Sequence, residues 1–234
     1  MRVNITQVAR AAGVSRTTVS HALSGKRPVA EHTRRQILRV VEQLGYVPSH
    51  IARSLAVGKT AMIGLHFPGA FVTAADTTTG FILAAARAAD ARGYTFLLST
   101  RPGLEGILDM VESKRVEGVV IMEVLLQDPR VDFLRRRRVA FAAIGRTADT
   151  EGLPFVDIDG EAATRLVTTH LLEQGHERIA YLGIGPRDFG FAYRTLQGYL
   201  KTLRAAGIEP APHLVADGLR DDGDACQALD RMLQ

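Results

Sequence analysis

Side chains that can read the edges of DNA bases are spaced along one short segment near the amino terminus. Val19 and Leu23, four residues apart, predict the inward side of a helix. The side chains left on the outward side can form hydrogen bonds with base edges or phosphates; they belong to Arg16, Thr17, Ser20 and His21. The spacing therefore predicts a helix that enters the major groove of double-stranded DNA.

The neighbouring residues predict the elements that hold this helix in place. Val8, Ala9 and Ala12 give a preceding helix an apolar stripe, Gly13 supplies the chain reversal, and Ser15 is a good N-cap. This is the layout of a helix-turn-helix. A third helix is expected to open at Thr33 and to bury a face made of Ile37, Leu38, Val40, Val41 and Leu44. Two short helices around such a turn are also a common packing unit in proteins that bind no nucleic acid.

The distribution of charge favours DNA binding over simple packing. Residues 1–59 hold ten Lys or Arg against two Glu, a net charge of +8, whereas the remaining residues hold 19 Lys or Arg against 23 Asp or Glu, a net charge of −4. A small basic module joined to a mildly acidic body indicates a nucleic-acid-binding domain attached to a second domain with another role.

The first sixty residues closely resemble the lactose-repressor and purine-repressor family of bacterial transcription regulators. The resemblance is carried by VARAAGVSRTTVS at 8–20, the V-x-E-x-T-R stretch at 29–34, LGY at 44–46, PSHIARSL at 48–55 and GKT at 58–60. It continues more loosely through IGL at 63–65, RVEGVV at 115–120 and HLLEQGHERIA at 170–180.

The resemblance implies how each part of the head contacts the operator. Residues 49–56 match a hinge helix that orders in the DNA-bound dimer, with Leu55 as an apolar wedge in the minor groove. The alternative is that Leu55 is an ordinary linker residue that packs on its own domain. Arg16, Thr17, Ser20 and His21 match major-groove positions, and Ser15, Thr18 and Thr33 match phosphate-contacting or capping positions. The full set of expected DNA contacts is Thr6, Ser15, Arg16, Thr17, Thr18, Ser20, His21, Thr33, Arg34, Ser49, Arg53, Leu55 and Ala56.

From residue 60 onward, short apolar runs alternate with segments able to form helices. This alternation predicts parallel sheets with helices on both faces. The resemblance assigns the runs to the two halves of a periplasmic-binding-protein-like effector domain. The predicted strands are 61–67, 94–99, 118–124 and 139–144 in the first set and 155–158, 178–184 and 213–216 in the second, with helices at 74–92, 160–174 and 191–206.

Open sheets of this kind bind ligands at the carboxyl ends of their strands. Loops at those ends predict a small-molecule effector site, and the resemblance points to a sugar or related metabolite. Because the loop after the first strand reads PGAFVTAADTTTG and departs from the family pattern, effector identity does not transfer from any relative. The expected effector contacts are Phe71, Arg146, Asp159, Phe189, Phe191, Arg194 and Thr195.

The expected organisation is an all-α helix-turn-helix head in residues 1–59, with the hinge at 49–56, followed by an α/β body in residues 60–234. Members of the family continue through further strands and helices. The body is therefore expected to be truncated in its second half.

Several other kinds of chemistry are not expected. A single cysteine, Cys226, gives neither a disulfide framework nor a thiolate metal cluster and fits a reducing cytoplasm. No secretory signal, bilayer-spanning run, G-x-S-x-G or H-E-x-x-H pattern occurs. We therefore expect a non-enzyme without metal or cofactor. Residues 135–138, four consecutive arginines, are expected to be a solvated helix end.

Two functions remain. The favoured one is a cytoplasmic, nucleoid-associated, effector-controlled repressor that binds a near-palindromic operator as a homodimer; the dimer follows from the resemblance alone. The alternative is an α/β ligand-binding or sugar-modifying protein with a basic amino-terminal interaction module. A steep fall of DNA affinity with salt is expected only for the first.

Overall fold

A computed structural model describes residues 3–25, 27–46, 60–69 and 75–234. The chain forms two compact units, Met1–Ala61 and Met62–Gln234, here called the head and the body. Some predicted site residues lie outside the described residues: Ser49, Arg53, Leu55 and Ala56 of the hinge and Phe71 of the effector site.

The head consists of three helices, α1 (Ile5–Ala11), α2 (Arg16–Ser24) and α3 (Glu31–Gln43). Asn4 and Gln7 form a capping box at the start of α1. Gly25, with a φ of 66°, ends α2 in the left-handed conformation that glycine adopts without strain. Ser15 caps α2 as the sequence predicted, with its side chain accepting a hydrogen bond from Thr18 N.

The core of the head differs from the prediction at α3. The helix begins at Glu31, and Ile37 is its fully buried residue. Val40 and Val41 pack partly buried beside it, as i+3 and i+4 neighbours on the same face. Leu38 and Leu44 were expected inside but are 40% and 37% exposed. Leu38 follows Ile37 directly, and a single step of about 100° around the helix turns its side chain away from α1 and α2.

The body contains two parallel sheets. In chain order the body consists of β1 (Met62–His66), α4 (Ala75–Asp90), β2 (Thr95–Ser99), α5 (Glu105–Glu112), β3 (Gly118–Ile121), α6 (Pro129–Arg136), β4 (Ala140–Ile144), β5 (Phe155–Val156), α7 (Gly160–Glu173), β6 (Tyr181–Ile184), α8 (Gly190–Ala205), a 3-10 turn (Pro212–Leu214), β7 (Val215–Leu219) and α9 (Asp222–Met232). The first sheet has five strands in the order β2-β1-β3-β4-β5, and the second pairs β6 with β7.

The assignment of β5 to the second half was wrong. Phe155 and Val156 pair with Ala143 and Ile144 of β4, so β5 is the edge strand of the first sheet. We call residues 62–159 the first lobe and residues 160–234 the second lobe. The carboxyl ends of β1, β3, β4 and β5 meet at one edge of the first sheet, since parallel strands all end on the same side.

Two further expectations concern the surface. Residues 135–138 are all exposed, which confirms the solvated helix end. Within the described ranges, no helix combines the length and the apolar character needed to cross a bilayer.

Candidate functional site

The outward face of α2 carries the polar side chains predicted to meet DNA. Arg16 and Thr17 are exposed, and Ser20 and His21 are partly exposed. On the opposite face Val19 is fully buried and belongs to the core of the head. The helix therefore presents four hydrogen-bonding side chains on the side that its apolar residues leave open.

The predicted phosphate contacts cluster at helix amino termini, where some already have structural partners. Ser15 Oγ accepts a hydrogen bond from Thr18 N at 3.0 Å and lies 2.8 Å from Thr18 Oγ1. Thr33 Oγ1 lies 3.0 Å from His32 Nε2. Thr6 is exposed in the first turn of α1, where the positive end of the helix dipole favours an anion.

The α3 helix braces this arrangement. Gln36 Nε2 donates a hydrogen bond to the Ala12 carbonyl at 3.1 Å, which ties α3 to the end of α1. Arg34 is exposed, whereas Arg35 Nε lies 3.2 Å from Glu31 Oε1 in an exposed pair one turn along the helix. Arg34 thus keeps its charge for an external partner, and Arg35 shares its charge with a glutamate.

The body contains a cavity of about 580 Å³ at the carboxyl edge of the first sheet, lined from both lobes. This volume falls in the range of small-molecule sites. Aromatic side chains of both lobes line it, namely Phe67, Phe81, Tyr181 and Phe191. Threonines supply part of its polar surface: Thr77, Thr78, Thr164 and Thr195.

The predicted effector residues separate into two groups. Phe191 and Thr195 line the cavity, and Thr195 Oγ1 lies 2.8 Å from the Tyr181 hydroxyl. Asp159 instead caps α7 by accepting a hydrogen bond from Ala162 N at 3.0 Å, and Phe189 stands before α8 with its ring 5.9 Å from that of Phe191. Neither of these two is among the residues that line the cavity.

Arg146 and Arg194 are also absent from the cavity lining. Arg194 is 9% exposed and donates hydrogen bonds to two main-chain carbonyls, from Nη1 to Arg146 at 3.1 Å and from Nη2 to Thr147 at 2.7 Å. Gly190 N adds a hydrogen bond of 2.9 Å to the Val124 carbonyl. These contacts join the start of α8 in the second lobe to the first lobe.

Asp157 lines the cavity, whereas its neighbour Asp159 was the residue of this loop chosen as the expected effector contact. Asp157 comes directly after β5, and it forms part of the cavity wall with its side chain 10% exposed. Burial raises the pKa of the Asp157 carboxyl, and the nearby Arg146 opposes that rise. The signal that could have favoured it over Asp159 is an acidic residue directly after a strand, since such positions lie at the ligand-binding edge of a parallel sheet.

Sequence reasoning missed a buried polar network next to the cavity. Arg130 and Asp128 form an ion pair of 2.6 Å with side chains 5% and 0% exposed. Arg130 Nη1 lies 3.0 Å from His66 Nδ1, and His66 Nε2 lies 2.8 Å from the Arg101 carbonyl. Because a guanidinium only donates, Nδ1 accepts and Nε2 carries the proton, so His66 is neutral. Arg130 Nη2 also donates to the Glu123 carbonyl at 2.7 Å, which fixes a cavity-lining residue.

This network predicts an acid-sensitive body. Burial is the main cause that lowers the pKa of His66 below its usual value of 6.5. The unfolded chain then takes up a proton below that pH that the folded chain does not, so stability falls as the pH drops through 6.5, by at most about 1.4 kcal/mol per pH unit. Urea titrations at several pH values above about 5, where most carboxylates remain ionised, measure this slope.

The matched variant is His66→Asn, which keeps an acceptor toward Arg130 and cannot titrate; it should remove most of the slope. His170→Asn, at an exposed histidine, should leave the slope intact. Equal slopes in the parent chain and His66→Asn would contradict the assignment.

The head and body define a class of protein in which a helix-turn-helix domain is joined to an α/β domain with a ligand-sized cavity. Residues 4–49 match the family described as bacterial regulatory proteins, lacI family, and residues 76–234 match periplasmic binding proteins and sugar binding domain of LacI family. The chain belongs to the LacI family of bacterial transcription regulators, which confirms the family and the fold class expected from the sequence.

Two transcriptional regulators are similar to this chain over most of its length. The chain is 34% identical over 224 residues to the transcriptional regulator CelR of Thermobifida fusca, covering 93% of this chain and 66% of CelR. It is 32% identical to the transcriptional regulator AglR of Rhizobium meliloti (strain 1021), covering 100% of this chain and 67% of AglR. The chain thus spans about two thirds of the length of these relatives.

Solved structures show the same architecture. A lac repressor dimer bound to operator and the anti-inducer ONPF superposes with a TM-score of 0.81 at 27% identity, covering 100% of this chain and 70% of that one. A complex of the transcriptional regulator CelR with cellobiose gives a TM-score of 0.62 at 30% identity, covering 99% and 70%.

Proposed function

We propose that this protein is a repressor whose head reads one half of an operator and whose body binds a small-molecule effector in the cavity. The observation that carries the proposal is the solvent-accessible polar face of α2, in a head with a net charge of +8. This face is formed by Arg16, Thr17, Ser20 and His21. Membership of a regulator family supports the same reading over enzymatic chemistry.

In this proposal the protein binds operator DNA as a homodimer, in the bacterial cytoplasm at the nucleoid. The similar lac repressor structure is a dimer on its operator. The twofold axis of such a dimer matches a near-palindromic site, with one head on each half-site. Leu83 of α4 is 50% exposed and is a position where a second copy could pack.

The effector is proposed to be a sugar or related metabolite. The CelR structure contains cellobiose. In this chain the cavity has the aromatic faces and hydroxyl groups that suit a sugar ring, because apolar ring faces stack on aromatics while hydroxyls form hydrogen bonds. Since both lobes line the cavity, a ligand that binds one arrangement of the lobes more tightly would shift the protein toward it and change DNA affinity.

A mobility-shift titration across salt concentrations tests the proposal. Each phosphate contact should contribute a slope of about −0.9 to the dependence of log affinity on log salt. The alternative, an α/β ligand-binding or sugar-modifying protein, requires no such dependence. Failure to bind any duplex at low salt would exclude DNA reading by this chain.

Two substitutions in the head should have different effects on DNA binding. His21→Ala removes a base-edge contact and should change the preferred sequence, with a cost of about 1–3 kcal/mol at the affected base pair. Arg34→Ala should weaken binding to all sequences alike and reduce the salt slope by about 1. Selection from a randomised duplex pool and salt titrations measure the two effects.

Arg204→Ala is the charge-matched control for Arg34→Ala. Arg204 lies in the body and pairs with Glu209 at 3.7 Å in an exposed position, so DNA affinity should be unchanged. An unaltered sequence preference in His21→Ala would argue against the assigned face of α2.

A further inference from the structure

Asp157 has an unusual hydrogen-bonding state for a buried carboxylate. Oδ1 accepts a hydrogen bond from Ile158 N at 2.9 Å. Oδ2 is buried and forms no hydrogen bond with any residue in the described part of the chain, although Arg146 Nε lies 3.3 Å from it. A buried acceptor without a donor is disfavoured, and such groups usually have a protein or water partner. Asp157 lines the cavity although Oδ2 itself is buried, so a ligand hydroxyl can supply the missing donor once the carboxylate turns toward the cavity.

The nearby cations are engaged by groups of the protein itself. Arg194 uses Nη1 and Nη2 on main-chain carbonyls of the first lobe. Arg146 lies beside Asp157 with its guanidinium 5.7 Å from the centre of the Phe155 ring. Neither arginine is among the residues that line the cavity. The surface offered to a ligand is therefore the carboxylate rather than the guanidinium groups.

The charged residues of the cavity wall are all acidic. Among the lining residues in the described ranges, these are Glu123 and Asp157, and the lining includes no Lys, Arg or His. An anionic ligand would have to lose its hydration in a largely apolar cavity whose described lining offers no cation to pair with, which is strongly unfavourable.

A cationic ligand gains less than the two carboxylates suggest. Asp157 already has the positive charge of Arg146 at 3.3 Å, and Arg194 also acts on it electrostatically. The local balance of charge leaves Asp157 with an unused hydrogen-bond acceptor and little uncompensated negative charge. A neutral hydroxyl donor fits this state best.

We propose that Asp157 is the specificity-determining residue of the cavity and selects a neutral, hydroxyl-bearing ligand over its phosphorylated or carboxylated counterparts. When the carboxylate turns toward the cavity, Oδ2 accepts a hydrogen bond from a ligand hydroxyl, while the aromatic residues Phe67, Phe81 and Phe191 contact the apolar face of the ligand. The inference rests on the proposed ligand-binding function of the body.

Calorimetric titration of the full chain with matched ligand pairs tests this inference. The pairs are glucose with glucose 6-phosphate, glucose with gluconate, and cellobiose with its 6-phosphate. The parent chain should bind at least one neutral saccharide and should bind its anionic counterpart at least about tenfold more weakly. Asp157→Asn turns one acceptor into a donor and should weaken binding of the neutral saccharide by about tenfold or more.

Asp149→Asn is the matched control, because the Asp149 side chain is exposed outside the cavity and the amide oxygen of asparagine can still accept the hydrogen bond from Glu151 N. It should leave saccharide affinity unchanged. Saccharide binding that survives Asp157→Asn, or a preference for the anionic partner, would overturn the inference alone. A parent chain that binds none of the neutral saccharides would overturn it together with the effector half of the proposed function.

Discussion

Gly190→Ala is expected to destabilise the body by more than about 3 kcal/mol and to lower its Tm by about 6–12 °C. A Cβ at position 190 would overlap the Arg146 carbonyl oxygen and would lie 2.5 Å from Arg194 Nη1. The main-chain oxygen lies in the segment after β4 and accepts a hydrogen bond from Arg194 Nη1, so it cannot move without disturbing that contact. Arg194 can retreat only by losing its hydrogen bonds to the carbonyls of Arg146 and Thr147.

The functional consequence follows from where Gly190 lies. It opens α8 and donates to the Val124 carbonyl at 2.9 Å, and Val124 lines the cavity. Moving α8 away from the first lobe also moves Phe191, which is another cavity residue. We therefore expect Gly190→Ala to weaken ligand binding as well as stability, both measured on the same purified variant by thermal unfolding and calorimetry.

Gly80→Ala provides the control for this substitution. Gly80 lies within α4, and a Cβ there meets none of the described residues within 4 Å. Alanine is favoured over glycine inside a helix, so this variant should be more stable than the parent by about 0.5–1 kcal/mol. If both variants had the same Tm as the parent, the close contact assigned to Gly190 would be wrong.

The sequence predicted what depends on neighbours along the chain. Ser15 marks the start of α2 by a rule that acts within one turn, and the structure shows it as the N-cap of that helix. Family motifs then placed the head and body in a known architecture. What failed was non-local: Leu38 looked buried because it is apolar, yet the direction in which α3 presents its side chains is set by contact with the other two helices.

The effector site shows the same limit. Asp159 and Arg194 were chosen as polar residues in loops or at helix starts near the expected cleft, but both satisfy main-chain groups of the protein itself. Asp157, two residues before Asp159, is the one with an unfilled oxygen at the cavity. Hydrogen-bond partners decide between such neighbours, and those partners are distant in sequence. The pairing of His66 with Arg130 is of the same kind.

Arg130→Met is expected to destabilise the body by about 3–5 kcal/mol, because it leaves the Asp128 carboxylate buried without its cation. Asp128 is 0% exposed in its side chain and receives Arg130 Nε at 2.9 Å as well as the Nη2 bond. The substitution also removes the donors to His66 and to the Glu123 carbonyl. Urea unfolding near pH 7 measures the loss in free energy of unfolding.

A second substitution separates the charge from the packing. In a double variant that combines Asp128→Asn with Arg130→Met, the introduced asparagine can still cap α6 through its amide oxygen but carries no charge. The double variant should therefore be more stable than Arg130→Met alone, and the interaction free energy from the cycle should exceed about 1 kcal/mol. Additive losses would show that the two side chains act independently, contrary to the buried ion pair. Because Glu123 lines the cavity, Arg130→Met should also weaken ligand binding, through the position of that residue rather than through any contact of Arg130 with ligand.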